Sequence, residues 1–172
     1  TLGPEGNSLV QKLVELEQRK ADVRLKRQRV EHAIGILKEA IRTGGPLTVP
    51  TIEDVESITE SAAKLADLDA QKKGMLVDYT ESHPAVVDVQ TQITRVRESL
   101  LATYRAMRQE LLLGERDLTR TITSFDAQLE DIPEAELELA KRTRVNMVNA
   151  ELYTFLLQKQ QEARIAQAST IS

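Results

Sequence analysis

Residues 132–168 read IPEAELELAKRTRVNMVNAELYTFLLQKQQEARIAQA and have the pattern of a packing helix. Pro133 suits the start of a helix because its missing N–H needs no partner in the first turn. The glutamates just after it favour the positive end of the helix dipole. Apolar residues then return at helical spacing, at Leu139, Val145, Val148, Leu152, Phe155 and Leu156. The pattern predicts a helix over 134–168 with one apolar face and one charged face.

The composition of the 172-residue chain is typical of long helices. Hydrophobic residues make up 41% and charged residues 29%, but aromatic residues make up only 3%, and Trp is absent. An enzyme of this size usually has more aromatic residues and more glycine-rich turns than the seven glycines found here. The net charge of −4 argues against a nucleic-acid-binding face.

The absence of cysteine excludes disulfides, thiolate chemistry and cysteine zinc sites, and it fits an oxidising compartment. The chain contains no run of about twenty apolar residues that could span a membrane. It also has no recognisable signal peptide, and its abrupt ends lead us to expect a fragment of a longer protein.

The first helix, predicted over 8–42, carries a regular heptad seam. The seam positions alternate in steps of four and three: Leu9, Leu13, Leu16, Lys20, Val23, Arg27, Val30, Ile34, Leu37 and Ile41. A random amphipathic helix seldom sustains nearly five such repeats, so the seam favours a coiled coil. Asn7 or Ser8 is the candidate N-cap.

Two basic residues, Lys20 and Arg27, interrupt this seam. One interpretation is a solvated mid-section that faces Glu or Asp on a neighbouring helix, with the long side chains reaching water. The other is a site for an anionic ligand on a basic patch formed by Arg19, Lys20, Arg24, Lys26, Arg27 and Arg29. We favour the first interpretation, and the second stays open.

Residues 43–50, TGGPLTVP, break the helical pattern. The Gly-Gly-Pro sequence ends the first helix. Thr51 is predicted to cap the second helix, with Asp54 as its acidic capping partner. The second helix is predicted over 52–79 and has weaker periodicity, with small residues on its apolar face.

The third helix is predicted over 84–130, because Pro84 suits a first turn after a cap at Ser82 or His83. His83 and His32 are the two histidines of the chain. Neither belongs to a pattern of carboxylates that suggests a joint site. We therefore predict no catalytic, cofactor or metal site in these residues.

Four helices joined by short connections predict an all-α fold with antiparallel neighbours. We expect an elongated antiparallel helical bundle, or coiled-coil arm, of about four helices that spans residues 1–172 as one domain. Such an arm has a thin core, so we expect partner subunits or flanking domains to contribute to its stability.

The last helix carries a motif that resembles a known family. The motif comprises Pro133 with its acidic neighbours, KRTR at 141–144, VNAELYTFLLQK at 148–159 and EARIA at 162–166. It resembles the final periplasmic helix of bacterial polysaccharide co-polymerases, which include chain-length regulators, exopolysaccharide transport proteins and capsule-associated tyrosine autokinases. His83 and Pro84, followed by Val86, Val87, Gln92 and Ile93, add a second and weaker match. The order of Val145 and Asn146 departs from the family, which more often has a polar residue first.

The resemblance implies the periplasmic arm of an inner-membrane protein. Such proteins assemble as homo-oligomeric rings, set the length of a surface polysaccharide, or pass it to an outer-membrane exporter. Contact between this arm and the polysaccharide itself is left open. Any cytoplasmic tyrosine kinase domain would lie outside these residues, so no enzyme activity is expected within them.

The residues that the resemblance singles out have two interpretations. They are Pro133, Arg144, Leu152, Tyr153, Phe155, Leu156 and Arg164. Under one hypothesis, the last helix is held to neighbouring subunits, or to a base near the membrane, by Tyr153, Phe155 and Arg164. Under the simpler interpretation, Tyr153 and Phe155 are core aromatic residues.

A second class of protein also has long periplasmic helical hairpins. These are the adaptor proteins of tripartite secretion and efflux systems, in which the hairpin docks to an outer-membrane duct. Adaptor hairpins usually contain two helices with Ala-rich heptads. The predicted order of four helices, with a break at His83 and Pro84, fits that pattern less well.

Overall fold

The computed structural model describes residues 1–50, 52 and 55–170, which form four α-helices and no β-strand. The helices are α1 (Pro4–Thr43), α2 (Glu56–Met75), α3 (Pro84–Glu130) and α4 (Glu134–Thr170). The predicted all-α fold of about four helices is therefore confirmed.

The first helix begins earlier than predicted. α1 starts at Pro4, so Asn7 and Ser8 lie inside the helix and the prediction of either as N-cap is wrong. A proline suits the first turn of a helix, and the Asn7 N–H donates to the Gly3 carbonyl oxygen at 3.0 Å. At the other end, Gly44 follows the helix with φ of +66°, the left-handed conformation that the predicted breaker requires.

The second helix is shorter than the predicted range of 52–79. It begins at Glu56 and ends at Met75, one residue after Gly74, a poor helix former. The chain then turns more tightly, since the Val77 N–H donates to the Gly74 carbonyl three residues earlier. The predicted cap at Thr51, with Asp54, lies outside the described residues.

The third helix begins at Pro84, as predicted, and the structure identifies its cap. His83 Nδ1 accepts a hydrogen bond from the Ala85 N–H at 3.2 Å, so His83 rather than Ser82 caps α3. The His83 ring also stacks on Tyr79, with the ring centroids 4.1 Å apart.

The chain divides into two compact units. Unit 1 comprises Thr1–Leu25 and Leu113–Ser172, and unit 2 comprises Lys26–Leu112. α1 and α3 therefore each contribute residues to both units.

Unit 1 is built from the first part of α1, the last part of α3, and α4. Within it α1 runs antiparallel to α3, because the Arg24 guanidinium reaches Glu115 while Gly6 lies beside Ile132. α1 runs parallel to α4, because the Gly3 N–H donates to Glu136 near the start of that helix at 2.8 Å. The core contains Val10, Leu13, Val14, Leu16, Ile122, Leu129 and Ala140.

Unit 2 packs the second part of α1 against α2 and the first part of α3. Its buried core residues are Val30, Ala33, Ile34, Leu37, Ile58, Leu65, Leu68, Val89, Ile93, Leu100, Leu101 and Tyr104. The predicted heptad seam of α1 supplies Leu13 and Leu16 to the core of unit 1, and Val30, Ile34 and Leu37 to the core of unit 2. Burial of such side chains contributes roughly 1.5–3 kcal/mol each.

Candidate functional surface

The second half of α4 exposes most of its side chains. Within residues 149–169, only Leu152, Phe155 and Lys159 are half-buried and all the others are exposed. The first half differs, since Ala140 is buried and Arg144, Met147 and Val148 are half-buried against unit 1. The second half of α4 thus extends beyond the part of this helix that packs closely against the rest of unit 1.

Four large apolar side chains form what we call the outer face of α4. They are Val145, Tyr153, Leu156 and Leu157, which are 57%, 66%, 57% and 41% exposed. Tyr153 stands three residues before Leu156 and four before Leu157, spacings that place side chains on one side of a helix. At 100° per residue, this side lies opposite the stripe that packs through Ala140 and Val148.

Two sequence predictions about α4 are corrected by this arrangement. Tyr153 is not a core residue of this chain, because two thirds of its side chain is exposed. Leu139, Val145 and Leu156 were placed on the packing face, but they are 41%, 57% and 57% exposed. The reason is that α4 carries two apolar stripes, and periodicity alone does not show which of them meets the other helices.

Phe155 and Arg164 occupy different environments. Phe155 is half-buried, and the Lys159 ammonium lies 5.8 Å from its ring centroid. Arg164 is exposed and makes no ion pair among the described residues. Ile165, next to Arg164, is 70% exposed.

Arg144 and Pro133 have roles within unit 1. Arg144 donates to Glu17 on α1 at 3.1 Å and also to Asp126 on α3. Pro133 is exposed in the turn before α4, and its carbonyl accepts the N–H groups of Glu136 and Leu137. Both residues fix the start of α4 in place.

The basic patch of α1 is partly neutralised by carboxylates. Arg19 pairs with Glu15 at 2.6 Å, Arg24 with Glu115 at 3.1 Å and Arg27 with Glu31 at 3.0 Å. Of these three pairs, the Arg24 pair joins α1 to a neighbouring helix. An anionic ligand at Arg19, Lys20, Arg24, Lys26, Arg27 and Arg29 stays a prediction.

The two histidines lie apart from any metal-binding arrangement in the part of the chain that the structure describes. His32 is exposed on α1, and His83 is occupied as the cap of α3. Among residues 1–50, 52 and 55–170, no group of three His, Cys, Asp or Glu residues is placed to hold a metal ion. Over the same residues, no helix is long and apolar enough to cross a membrane.

Arg97 and Tyr104 are the residues that the sequence analysis missed. Arg97 is 3% exposed and donates to the carbonyl oxygens of Ala40 and Gly45, at 3.0 and 2.8 Å. The Tyr104 hydroxyl donates to the Pro50 carbonyl oxygen at 2.7 Å. The available signal was spacing, because Arg97 stands four residues after Ile93 in an apolar stripe.

Three groups have shifted pKa values. Burial raises the pKa of the Tyr104 hydroxyl above its usual value. On the surface near the end of α1, the hydrogen bond between Arg42 and Glu39 lowers the pKa of Glu39 and raises that of Arg42. None of these three shifts moves a pKa toward neutral pH.

The outer face of α4 lies on the same helix that carries the sequence resemblance. No protein-family model, no curated protein and no solved structure matches the chain.

Proposed function

We propose that this chain is a non-catalytic periplasmic arm of an inner-membrane polysaccharide co-polymerase. In this role it controls the chain length and export of a surface polysaccharide through oligomeric assembly. The observation that carries the proposal is the outer face of α4, where Tyr153 and Leu156 are 66% and 57% exposed. These two residues belong to the motif that resembles the family's final periplasmic helix.

The partner of this face is another copy of the chain. Burying apolar side chains contributes roughly 25 cal/mol for each Å² removed from water, so a second helix seated on this face is stabilised. Tyrosine suits such a contact because it offers a large apolar ring and a polar hydroxyl, and it is enriched at protein interfaces. When the two contacting surfaces differ, repeated contacts generate a ring if the rotation between successive copies closes.

The task of the arm is to hold copies at a fixed spacing. Arg144 ties the first half of α4 to α1 and α3, so the second half projects from a braced base within unit 1. A braced helix loses less conformational freedom when it binds than a flexible one does. Any catalytic domain of the parent protein, including a tyrosine kinase domain, lies outside residues 1–172 in this proposal.

The test uses the complete gene in its natural host. We would replace Tyr153, Leu156 and Arg164 singly by Ala, and use Leu113→Ala as the matched control, because Leu113 is a 51% exposed leucine on α3. The measurements are the length distribution of the surface polysaccharide by gel electrophoresis and the oligomeric state of the purified protein. We expect a changed length distribution and weaker assembly for Tyr153→Ala, Leu156→Ala and Arg164→Ala, but not for the control.

Unchanged polymer length and assembly in all three variants would contradict the proposal. Normal polysaccharide combined with a loss of small-molecule or protein secretion would contradict it too. That second result would indicate the adaptor class instead.

A further inference from the structure

α2 lies wholly within unit 2, unlike the two helices that it packs against. α1 and α3 both continue as unbroken helices into unit 1, where a second set of core residues holds them. α2 has 20 residues and buries Ile58, Leu65 and Leu68. The contacts that hold α2 are therefore confined to unit 2, whereas α1 and α3 are held by two cores.

The segment that leads toward α2 is fixed by two side chains of α3. We call this segment, residues 44–50, the strap. The Arg97 guanidinium donates to the carbonyl oxygen of Gly45 at 2.8 Å. The Tyr104 hydroxyl donates to the carbonyl oxygen of Pro50 at 2.7 Å. The strap also packs two half-buried apolar side chains against the core of unit 2: Leu47 and Val49.

The other end of α2 is held largely by bonds within its own turn. After Met75, the N–H groups of residues 76–79 donate to carbonyl oxygens of residues 72–75. A side-chain bond joins α2 to α3 nearby, from Lys72 Nζ to Gln90 Oε1 at 2.9 Å. Release of the strap would therefore leave α2 attached through this turn, this bond and its narrow buried stripe.

α2 is too weak a helix to persist after leaving unit 2. Most helical stability in proteins comes from packing rather than from propensity. The sequence of α2, ESITESAAKLADLDAQKKGM, contains Ser, Thr, Asp and Gly, which form helices less readily than alanine does. Detachment of α2 therefore also breaks its backbone hydrogen bonds, so hydrogen exchange can measure it.

We propose that α2 and the strap form one opening unit, which detaches from α1 and α3 while those two helices stay paired. Regions with fewer buried contacts open at a lower free energy than the rest of a protein. Arg97 supports this order, because its bond to the Ala40 carbonyl on α1 remains when its bond to Gly45 breaks. The open form exposes apolar core residues of α1 and α3 that the closed form hides. This inference is independent of the proposed function.

The test measures amide hydrogen exchange by mass spectrometry in the full chain. It compares amides of residues 58–72 on α2 with amides of residues 30–40 on α1. Lys64→Gly weakens α2 and Lys38→Gly weakens α1, and the two variants are matched because both lysines are exposed and inside a helix. Tyr104→Phe removes the bond to the strap and keeps the buried ring.

We expect the amides of α2 to exchange faster than those of α1 in the unaltered chain. Lys64→Gly should accelerate exchange in α2 about three-fold, because glycine has a lower helix propensity than lysine. Tyr104→Phe should accelerate it about five-fold, the effect of losing one hydrogen bond. Lys38→Gly should accelerate exchange in α1 about three-fold and leave α2 unchanged, because α1 is still folded in the open form.

Two results would overturn the proposal. Equal acceleration of α1 and α2 by Lys38→Gly would mean that unit 2 opens as one body. Unchanged exchange in α2 for Tyr104→Phe would mean that the strap stays bound when α2 opens.

Discussion

The Arg144 guanidinium on α4 donates from Nη2 to Glu17 Oε1 on α1 at 3.1 Å, across 127 residues of sequence. Its Nη1 donates to Asp126 on α3, so one cation joins all three helical segments of unit 1. The Arg144 and Glu17 side chains are 20% and 28% exposed. Water and salt therefore screen this ion pair less than they screen a fully exposed pair. Arg144 was predicted as a packing or assembly residue, and its contacts are within the chain.

Replacing Arg144 should therefore destabilise unit 1. Arg144→Ala leaves Glu17 and Asp126 without this shared partner, and we expect a loss of about 2 kcal/mol in the free energy of unfolding. The control is Arg142→Ala, since Arg142 is 80% exposed and pairs with Glu138 one turn away. That change should cost less than about 0.5 kcal/mol. Urea unfolding followed by circular dichroism measures both, and equal losses would contradict the account.

The hydroxyl of Tyr104 should contribute to the stability of unit 2. Tyr104→Phe keeps the buried ring but removes the hydrogen bond to Pro50, and we expect a loss of about 1 kcal/mol. Tyr79→Phe is the control, because Tyr79 is 48% exposed and stacks on His83 through its ring. A larger loss for Tyr79→Phe than for Tyr104→Phe would contradict this assignment.

The same hydroxyl should make stability depend on alkaline pH. Burial raises the pKa of Tyr104 above 10.0, the ordinary value expected in the unfolded chain. The stabilising contribution of the protonated hydroxyl is fully present below about pH 10 and is lost as pH rises through the raised pKa. The difference in unfolding free energy between the unaltered chain and Tyr104→Phe should therefore shrink above that pH. A difference that stays constant would show that the hydroxyl does not titrate with unfolding.

His83 should act as a replaceable cap. His83→Ala removes the acceptor for the Ala85 N–H, and we expect a loss of about 1 kcal/mol. His83→Asn should retain most of the stability, because an asparagine side chain also caps helices. Thermal unfolding of the two variants provides the comparison. If both variants lost the same stability, stacking on Tyr79 would be the dominant role of His83.

The outer face of α4 should be dispensable for folding. Tyr153→Ala should change the free energy of unfolding by less than about 0.5 kcal/mol, because the side chain is 66% exposed. Leu13→Ala, at a fully buried position of unit 1, should cost roughly 2–5 kcal/mol. The measurement is urea unfolding at low protein concentration. A loss above 2 kcal/mol for Tyr153→Ala would place this residue in the packing of the chain.

Local chemistry explains which parts of the fold could be predicted. The break after Thr43 and the start at Pro84 depend on glycine and proline, whose backbone restrictions act within a few residues. The buried seam of α1 followed from a strong heptad pattern. The start of α1 could not be predicted, because two starts are compatible with the sequence. Pro4 suits the first turn of a helix, where α1 begins, and Asn7 suits a cap three residues later.

Contacts between distant residues could not be predicted in the same way. Arg97 meets Ala40 across 57 residues, and Tyr104 meets Pro50 across 54, so no local pattern marks either pair. The outer face of α4 could not be predicted, because the apolar residues on the two sides of this helix recur with the same helical period. Which side is covered depends on the other helices of unit 1.

In the function that we propose, the outer face of α4 joins copies of this chain. The most direct measurement places the photo-crosslinking residue benzoylphenylalanine at position 153 of the protein in cells of its natural host, with the same residue at position 113 as control. After irradiation, mass spectrometry identifies the chain attached to each position. We predict efficient crosslinking to a second copy of this protein from position 153 and little from position 113. Attachment from position 153 only to other proteins, or equal self-attachment from both positions, would contradict it.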